Sequence, residues 1–325
     1  MKAFLSELKK ILGDRVKENE PMSLHTTFKI GGPARYYIDI DSIEGLVKVV
    51  TFAKKRNLPV FIFGGGSNII VSDRGIDGLV IKNNCRKFEI RSIAGNVKGA
   101  VAKRSTVSIY AQSGVIMNQL VRYTIDHGMG GLEFHLGLPG TVGGALFMNS
   151  NFPKKQSYVG DSLQSATLLC PDGSIKEIDA SYFRFSYDTS ILQKTGEIIL
   201  SALFKLSSCE KDELWRRGTE ALDYRLSTQP KGASAGCTFR NISISEAFSI
   251  PTPNNITSAG YLIDKAGLKG RRVGDAMVSP KHANFILNMG NAKASDVVEL
   301  TKCIKEEVFK KFSVSLMFEV RVIES

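Results

Sequence analysis

The chain has 325 residues, of which 43% are hydrophobic and 23% are charged, and this composition is typical of a globular protein with a sizeable core rather than a disordered or fibrous one. We expect two or three domains at this length, because single cores stop growing near about 250 to 300 residues. The long uncharged segment 134–153 contains Gly137, Pro139 and Gly140 and therefore does not predict a membrane-spanning helix.

Apolar residues between positions 4 and 12 fall on one face of a helix, a pattern typical of a surface helix rather than a signal peptide, so we expect a cytoplasmic protein. The cysteines are odd in number, widely separated and never in a CxxC pair: Cys85, Cys170, Cys209, Cys237 and Cys303. This spacing argues against both a disulfide framework and a zinc site, and we expect reduced thiols and no bound metal.

The formal net charge of +11 favours anionic partners, namely nucleic acid, a membrane surface or phosphorylated small molecules. The basic residues are scattered along the chain in short clusters such as 54–56 and 271–272, without a long basic arm. Nucleic acid is therefore the less favoured partner.

The first predicted elements form a small α/β unit. Residues 35–40 predict a strand, 41–44 resemble a capping box that opens a helix, and 60–63 and 78–81 are short apolar runs typical of buried strands. We assign residues 1–84 to this first domain.

A second α+β domain is expected over residues 85–206. The pattern predicts a β hairpin over 87–110, a helix over 115–127, a long irregular glycine-rich segment over 128–149, and strands at 163–169, 175–178 and 198–206. A turn at 171–173 joins the first two of these strands.

The third domain, residues 207–313, begins with a charged helix over 210–225. Helices are also predicted over 258–266 and 294–312, with a strand over 283–288. The strand over 316–323, within the terminal segment 314–325, is expected to return to an earlier sheet. The fold class is α+β.

Two glycine-rich segments are the main candidates for ligand binding. Gly64, Gly65 and Gly66 follow a buried strand, where backbone N–H groups free of a neighbouring β-carbon can point at one anion such as a diphosphate. Alone, they fit a plain tight turn equally well, because the GxGxxG spacing and the Walker lysine are missing. The second segment, 137–145, strengthens the case for a flat, phosphate-bearing cofactor.

These segments carry a family resemblance. In matching order and spacing, they resemble motifs of the UDP-N-acetylenolpyruvoylglucosamine reductases of peptidoglycan precursor synthesis. The segments that carry the resemblance are 26–34, 64–68, 131–149, 225–230, 234–241, 262–270 and 279–288. The resemblance covers residues 22 to 323, and the short form of the family, without an inserted tyrosine loop, is the more similar one.

The resemblance implies a two-subdomain FAD-binding domain of the vanillyl-alcohol-oxidase type and a C-terminal α+β domain for the UDP-sugar. It further implies that NADPH is the reductant, that hydride reaches the β carbon of an enolpyruvyl group, and that a proton reaches the α carbon. The expected protein is a monomer that acts on a small molecule, without nucleic acid and without membrane insertion.

Residue by residue, the family motifs assign FAD binding to Gly64, Gly65, Gly66, Ser67, Asn68, Gly137, Pro139, Gly140, Thr141, Gly143, Gly144 and Ala145. They assign catalysis to Cys237 and Glu319, and substrate binding to Asn241 and Arg225.

Cys237 stands where the family usually has a serine that donates the proton. A thiol, with an ordinary pKa of about 8.5, is protonated at neutral pH and gives up its proton more readily than a hydroxyl, so cysteine can fill this role. The alternative is a small buried thiol in a turn.

The remaining assignments rest on the resemblance alone. By alternation, Glu319 is a residue on the polar face of a strand, and the family more often has proline where Phe318 stands. Arg225 fits a substrate contact or a cation at a helix C-terminus equally well.

Asp188 is the clearest departure from the family pattern, which reads Tyr-Arg-x-Ser where this chain has residues 187–190. The family's arginine contacts the substrate carboxylate. An anion at about 4 Å from that carboxylate would turn an attraction of about 4 kcal/mol into a comparable repulsion. Either Arg184 reaches the pocket, or the chain is a divergent or inactive relative that binds FAD or a UDP-sugar.

Overall fold

The computed structural model describes residues 7–9, 15–94, 105–250 and 252–324. The helix predicted within residues 4–12 and the tip of the hairpin predicted over 87–110 fall largely outside these residues. The described helices are α1 (Ile43–Lys55), α2 (Met117–Asp126), α3 (Val142–Met148), α4 (Leu192–Thr195), α5 (Lys211–Thr228), α6 (Ile244–Phe248), α7 (Ala259–Lys265) and α8 (Ala294–Phe312).

The described strands in the first half of the chain are β1 (Lys17–Pro21), β2 (Pro33–Ile40), β3 (Val60–Phe63), β4 (Ile69–Val71), β5 (Ile76–Asn83), β6 (Phe88–Ala94), β7 (Thr106–Gln112), β8 (Met129–Gly130), β9 (Asn151–Phe152) and β10 (Ser157–Tyr158). Those in the second half are β11 (Leu163–Leu169), β12 (Ile175–Asp179), β13 (Ile198–Ser208), β14 (Arg272–Val273), β15 (Ala276–Val278), β16 (Ile286–Asn288) and β17 (Arg321–Ile323). No helix in the described part of the chain is long and apolar enough to cross a membrane.

The chain folds into two compact units, and each unit is built from segments that are not contiguous in the sequence. Unit 1 comprises residues 1–16, 38–65 and 81–225, and unit 2 comprises residues 17–37, 66–80 and 226–325. The domain boundaries expected at residues 84, 206 and 313 remain a prediction.

Unit 1 is centred on an antiparallel sheet with the strand order β12-β11-β13-β7-β6, and β8 pairs with the end of β13. In the second half of β13, Ala202, Phe204 and Leu206 are buried while Lys205 is exposed, so one face of the strand packs on the core. Helix α2 contributes Leu120 and Ile125 to the same core. This arrangement confirms the hairpin and the three strands predicted between residues 87 and 206.

Residues 128–149 were predicted to form an irregular segment, but they contain helix α3. Thr141 caps the helix and its hydroxyl accepts from the Gly144 N–H at 3.4 Å, while Asn149 ends it in the left-handed conformation. Gly143 and Gly144 lower the local helix propensity, so the helix was missed. Its cap and its buried side chains outweigh that propensity.

Unit 2 contains the paired residues of β1 and β2, two further small sheets and a helical core. Strands β14, β15 and β16 form an antiparallel meander, and β17 pairs in parallel with β4. Helix α8 has the bounds that the sequence predicts, and it buries Val297, Leu300 and Ile304 in the core. The last strand does return to an earlier one, although it is confined to three residues.

The Asp73 carboxylate fixes the start of α8. It accepts from the backbone N–H groups of Ala294 at 2.7 Å and Ser295 at 2.9 Å. These hydrogen bonds, opposed by partial burial, lower the pKa of Asp73 below its ordinary value. The helix terminus is thereby held by a residue that lies far away in sequence.

His135 is fully buried in unit 1. Burial, and secondly the positive charge of Arg225, lower its pKa to about 3. Because the unfolded histidine takes up a proton below about pH 6.5 and the folded one does not, acid destabilises the folded state by up to about 1.4 kcal/mol per pH unit. The stability that the buried, neutral His135 contributes is fully present above about pH 6.5 and is lost as the pH falls towards 3.

We predict that His135→Leu will reduce the loss of urea stability between about pH 7 and pH 5 by roughly 2 kcal/mol relative to wild type. Urea unfolding at both pH values measures this difference. His127→Gln, at an exposed position of the same unit, is the control and keeps the wild-type pH dependence. An unchanged pH dependence in His135→Leu would contradict the prediction.

Candidate active site

The first glycine-rich turn of the candidate site follows β3 in unit 1. A β-carbon built on Gly64 would lie 2.2 Å from the Thr141 Oγ1 atom, and one built on Gly65 would lie 2.9 Å from the Gly140 Cα atom. Real β-carbons do not approach so closely. Glycine at both positions therefore lets this turn lie directly against residues 140 and 141.

The second glycine-rich turn is held by hydrogen bonds around Gly140. The Gly140 carbonyl accepts from the Met117 N–H at 3.0 Å, and the Val142 N–H donates to Val115 at 2.9 Å. Gly140 itself has φ of +101°, which favours glycine. We call Gly64, Gly65, Gly140 and Thr141 the glycine cradle.

The structure thus brings together two segments that the sequence singled out separately. The absence of a β-carbon at Gly64 and Gly65 is what allows this close packing. Glycine-rich backbone of this kind could hold a phosphate-bearing group.

Other predicted cofactor residues have packing contacts inside unit 1. Gly143 donates its N–H to the Ser113 carbonyl at 2.8 Å, and the Gly137 N–H donates to the Asn118 Oδ1 atom at 2.9 Å. Ala145 is buried in the core, whereas Pro139 and Gly144 are exposed. Gly143, Gly137 and Ala145 consequently set the shape of the loop.

Gly66, Ser67 and Asn68 belong to unit 2. The Gly66 carbonyl accepts from the Thr27 N–H at 3.1 Å, and the Asn68 carbonyl accepts from the Arg321 N–H at 3.0 Å. The Asn68 side-chain amide also reaches the Glu319 carbonyl at 3.4 Å. This turn is therefore tied to the segment that carries Glu319.

The two predicted catalytic residues lie on hydrogen-bonded segments of unit 2. Cys237 forms an isolated β-bridge with Phe285, and the next carbonyl, that of Thr238, accepts from the Glu319 N–H at 2.9 Å. Both Cys237 and Glu319 are half-buried. The structure thus brings together the backbone segments that carry Cys237 and Glu319, which are 82 positions apart in the sequence.

Asn284 fixes this arrangement and was missed by the sequence analysis. Its carbonyl accepts from the Thr238 N–H at 2.8 Å, its side-chain oxygen accepts from the Phe239 N–H at 2.9 Å, and its side-chain amide donates to the Phe239 carbonyl at 2.7 Å. Asn284 is 3% exposed. A buried asparagine with this many backbone partners would be visible in sequence only as a polar residue inside an apolar run.

Asn241 and Arg225, the predicted substrate residues, lie in different units and are described separately. The Asn241 Oδ1 atom accepts from the Ala259 N–H at 3.1 Å and so helps to start α7. Arg225 lies in the last turn of α5, with its guanidinium carbon 6.0 Å from the centre of the Phe152 ring.

Asp188 is buried in a tight turn of unit 1 with φ of +51°. Its Oδ1 atom accepts from the Asn151 side-chain amide at 3.3 Å, and its carbonyl accepts from the Gln193 side chain at 3.0 Å. Arg184 is exposed at the end of the 3₁₀ helix Ala180–Phe183. The carboxylate at position 188 thus has a local structural role in the loop.

Comparison with known proteins gives the class of the protein, a flavin-dependent oxidoreductase. A family model described as an FAD-binding domain matches residues 34–179. A second model, described as the C-terminal domain of UDP-N-acetylenolpyruvoylglucosamine reductase, matches residues 229–323.

Relatives extend this match over the whole chain. The UDP-N-acetylenolpyruvoylglucosamine reductase of Agathobacter rectalis is 39% identical over 310 residues, which cover 94% of this chain and 93% of the relative. That of Halalkalibacterium halodurans is 35% identical over 99% of both chains. The chain belongs to the UDP-N-acetylenolpyruvoylglucosamine reductase family.

A solved structure agrees with this assignment. The crystal structure of the reductase from Thermus caldophilus superimposes with a TM-score of 0.74 at 32% identity and covers 95% of this chain and 99% of its own. The expected α+β fold class, with an FAD-binding domain and a C-terminal domain, is confirmed. The chain is an FAD-dependent oxidoreductase.

We predict that Gly65→Val will yield a protein that folds but purifies with little flavin, because the new side chain would collide with Gly140 and open the cradle. The ratio of visible flavin absorbance to protein absorbance measures the occupancy. Circular dichroism of flavin-depleted wild type provides the matched reference for folding. Full flavin occupancy in the variant would show that the cradle does not hold the cofactor.

Proposed function

We propose that this chain uses NADPH to reduce the enolpyruvyl group of UDP-N-acetylglucosamine enolpyruvate, giving UDP-N-acetylmuramate for peptidoglycan synthesis. The observation that carries the proposal is the meeting of Cys237 and Glu319 on hydrogen-bonded segments in a chain of this family. Neither residue would be brought to the other by local structure.

The cofactor in this proposal is FAD, with its diphosphate on the glycine cradle. Bound FAD supplies hydride transfer between NADPH and the β carbon of the enolpyruvyl group. The chain's own contribution in unit 1 is to present backbone that is not covered by β-carbons at Gly64, Gly65 and Gly140.

Cys237 has the role of general acid in this proposal. Hydride addition at the β carbon leaves negative charge on the α carbon and the adjoining carboxylate, and a proton from the Cys237 thiol completes the reduction there. Thr238 and Phe239, the residues that follow Cys237, are fixed by three hydrogen bonds to Asn284. A general acid needs such a fixed backbone, because proton transfer requires hydrogen-bond distance to the reacting atom.

Glu319 supplies the carboxyl group of the site. Its backbone N–H is bound to the residue next to Cys237, and its own carbonyl accepts a hydrogen bond from Asn68. We assign it a supporting role: it orients the substrate, or, in its protonated form, it passes a proton taken up from solvent to the Cys237 thiolate after turnover.

Recognition of the substrate carboxylate falls to a cation other than residue 188. Asp188 has a carboxyl group in place of a guanidinium, is buried and is engaged by Asn151 and Gln193, so it does not inherit the role of the family's arginine. We assign recognition of the substrate carboxylate to Arg225. In unit 2, we assign substrate binding to Asn241. The exposed position of Arg184 makes it the weaker candidate.

The nucleotide-sugar substrate and the net charge of +11 suit a cytoplasmic enzyme whose ligands all carry phosphate. We propose a monomer without nucleic-acid or membrane partners. The alternative function, a divergent relative that binds FAD or a UDP-sugar without turnover, is favoured by one observation, the carboxylate at position 188.

Steady-state turnover tests the proposed function. NADPH consumption that depends on UDP-N-acetylglucosamine enolpyruvate, with a product heavier than the substrate by two hydrogen atoms, is the expected result. NADPH consumption without that product, at full flavin occupancy, would favour the divergent relative.

For Cys237→Ala, we predict that flavin reduction by NADPH will be unchanged, because no acid over the substrate is needed in that half-reaction. Flavin reoxidation by the enolpyruvyl substrate will slow by about 10² to 10⁴. Stopped-flow absorbance measures both steps. Cys237→Ser, which keeps a hydrogen-bond donor and is the family's usual residue here, is the matched variant and recovers much of the loss. Equal slowing of both half-reactions would remove Cys237 from the mechanism.

For Asp188→Asn, we predict turnover equal to or higher than that of wild type. Asparagine tolerates the left-handed backbone of this turn and can still accept from Asn151, while the negative charge is removed. Steady-state kinetics at saturating substrate measures the effect. A large loss of turnover in a variant with a wild-type melting temperature would show that the carboxylate takes part in the reaction.

A further inference from the structure

Two aromatic rings stack beside the candidate catalytic residues of unit 2. The ring centroids of Phe239 and Phe318 are 5.4 Å apart, and the ring planes differ by 13°. Phe239 is fully buried, two residues after Cys237, and Phe318 immediately precedes Glu319. The stack therefore joins the two segments that carry the thiol and the carboxyl group.

The same two segments are paired through their backbones. Phe239 and Phe318 form an antiparallel bridge, the Arg240 N–H donates to Met317 at 2.9 Å, and the Glu319 N–H donates to Thr238 at 2.9 Å. These few hydrogen bonds set the register of a very short pair. In a pair of this length, the side-chain stack adds to the order given by the few backbone hydrogen bonds.

Lys305 of helix α8 covers this stack. Its Nζ atom lies 3.9 Å from the centroid of the Phe318 ring and 5.9 Å from that of Phe239. Among the residues that the structure describes, Lys305 forms no salt bridge and no hydrogen bond. Burial lowers its pKa below the ordinary value. The ring face is therefore the main electrostatic partner of this half-buried ammonium group.

We propose that Lys305 is a positioning residue for the protonation step: its ammonium group and stem hold Phe318 against Phe239 and so fix Glu319 relative to Cys237. This inference rests on the proposed function, because it takes Cys237 and Glu319 as the groups that act on the substrate. Lys305 itself does not touch the reacting atoms.

Three variants of the full-length flavin-loaded protein test the inference. Lys305→Ala removes the stem and the charge, Lys305→Arg restores a cation that stacks on aromatic rings, and Lys302→Ala, at an exposed position on the same helix, is the matched control. Stopped-flow absorbance measures flavin reduction by NADPH and flavin reoxidation by UDP-N-acetylglucosamine enolpyruvate for each.

The expected result for Lys305→Ala is reoxidation slowed about tenfold at saturating substrate, with flavin content and NADPH reduction unchanged. Lys305→Arg recovers the rate to within about twofold of wild type, and Lys302→Ala behaves as wild type. A purely structural role of Lys305 would instead lower flavin content or slow both half-reactions together.

The inference is overturned if Lys305→Ala reoxidises at the wild-type rate, if it only raises the substrate concentration needed for half-saturation, or if arginine does not restore the rate. Failure of the proposed function is a separate outcome, since the wild-type protein itself would then not be reoxidised by the substrate. If Lys305→Ala does not fold, Phe318→Leu tests the same stack from the other side, and the inference predicts the same selective slowing of reoxidation.

Discussion

The hydrogen bond from the Glu319 N–H to the Thr238 carbonyl, at 2.9 Å, is the contact on which the proposed chemistry depends. It joins the segment after α8 to the segment that carries Cys237, and the same two segments also form the isolated bridge between Phe239 and Phe318. The surrounding structure reinforces it: Asn284 fixes one segment, Asn68 and Arg321 fix the other, and the aromatic stack lies between them. The segments that carry the two candidate catalytic residues are thus joined through the backbone of unit 2.

A different constraint shapes unit 1, where two chain segments approach more closely than β-carbons allow. Gly64 and Gly65 face Thr141 and Gly140, and the threonine also caps helix α3. Gly64 and Gly65 thus follow the end of β3, and Thr141 begins α3. Where the two segments meet, the glycines leave backbone without β-carbons. This explains why glycine is needed where these two short segments meet. The proposed diphosphate contact would use the same backbone.

Local patterns predicted much of the fold. The bounds of α8 and β3 follow directly from apolar periodicity, and the glycine segments and Cys237 were recognisable from their order along the chain. Helix α3 was missed because its cap and burial outweigh the low helix propensity of two glycines. Asn284 and Lys305 were missed for another reason: their partners lie 45 and 13 positions away, at Phe239 and Phe318, and only the folded chain brings them together. Asp188 was recognised as a departure, but its turn and its contact with Asn151 depend on tertiary structure.

Anaerobic absorbance spectra of the purified wild-type protein test the central claim most directly. Here NADPH is added first, in an amount equal to the bound flavin, and UDP-N-acetylglucosamine enolpyruvate second. The account predicts that the visible flavin absorbance is lost after the first addition and returns in full after the second, one substrate molecule being consumed for each flavin. A spectrum that stays bleached after the second addition would contradict it.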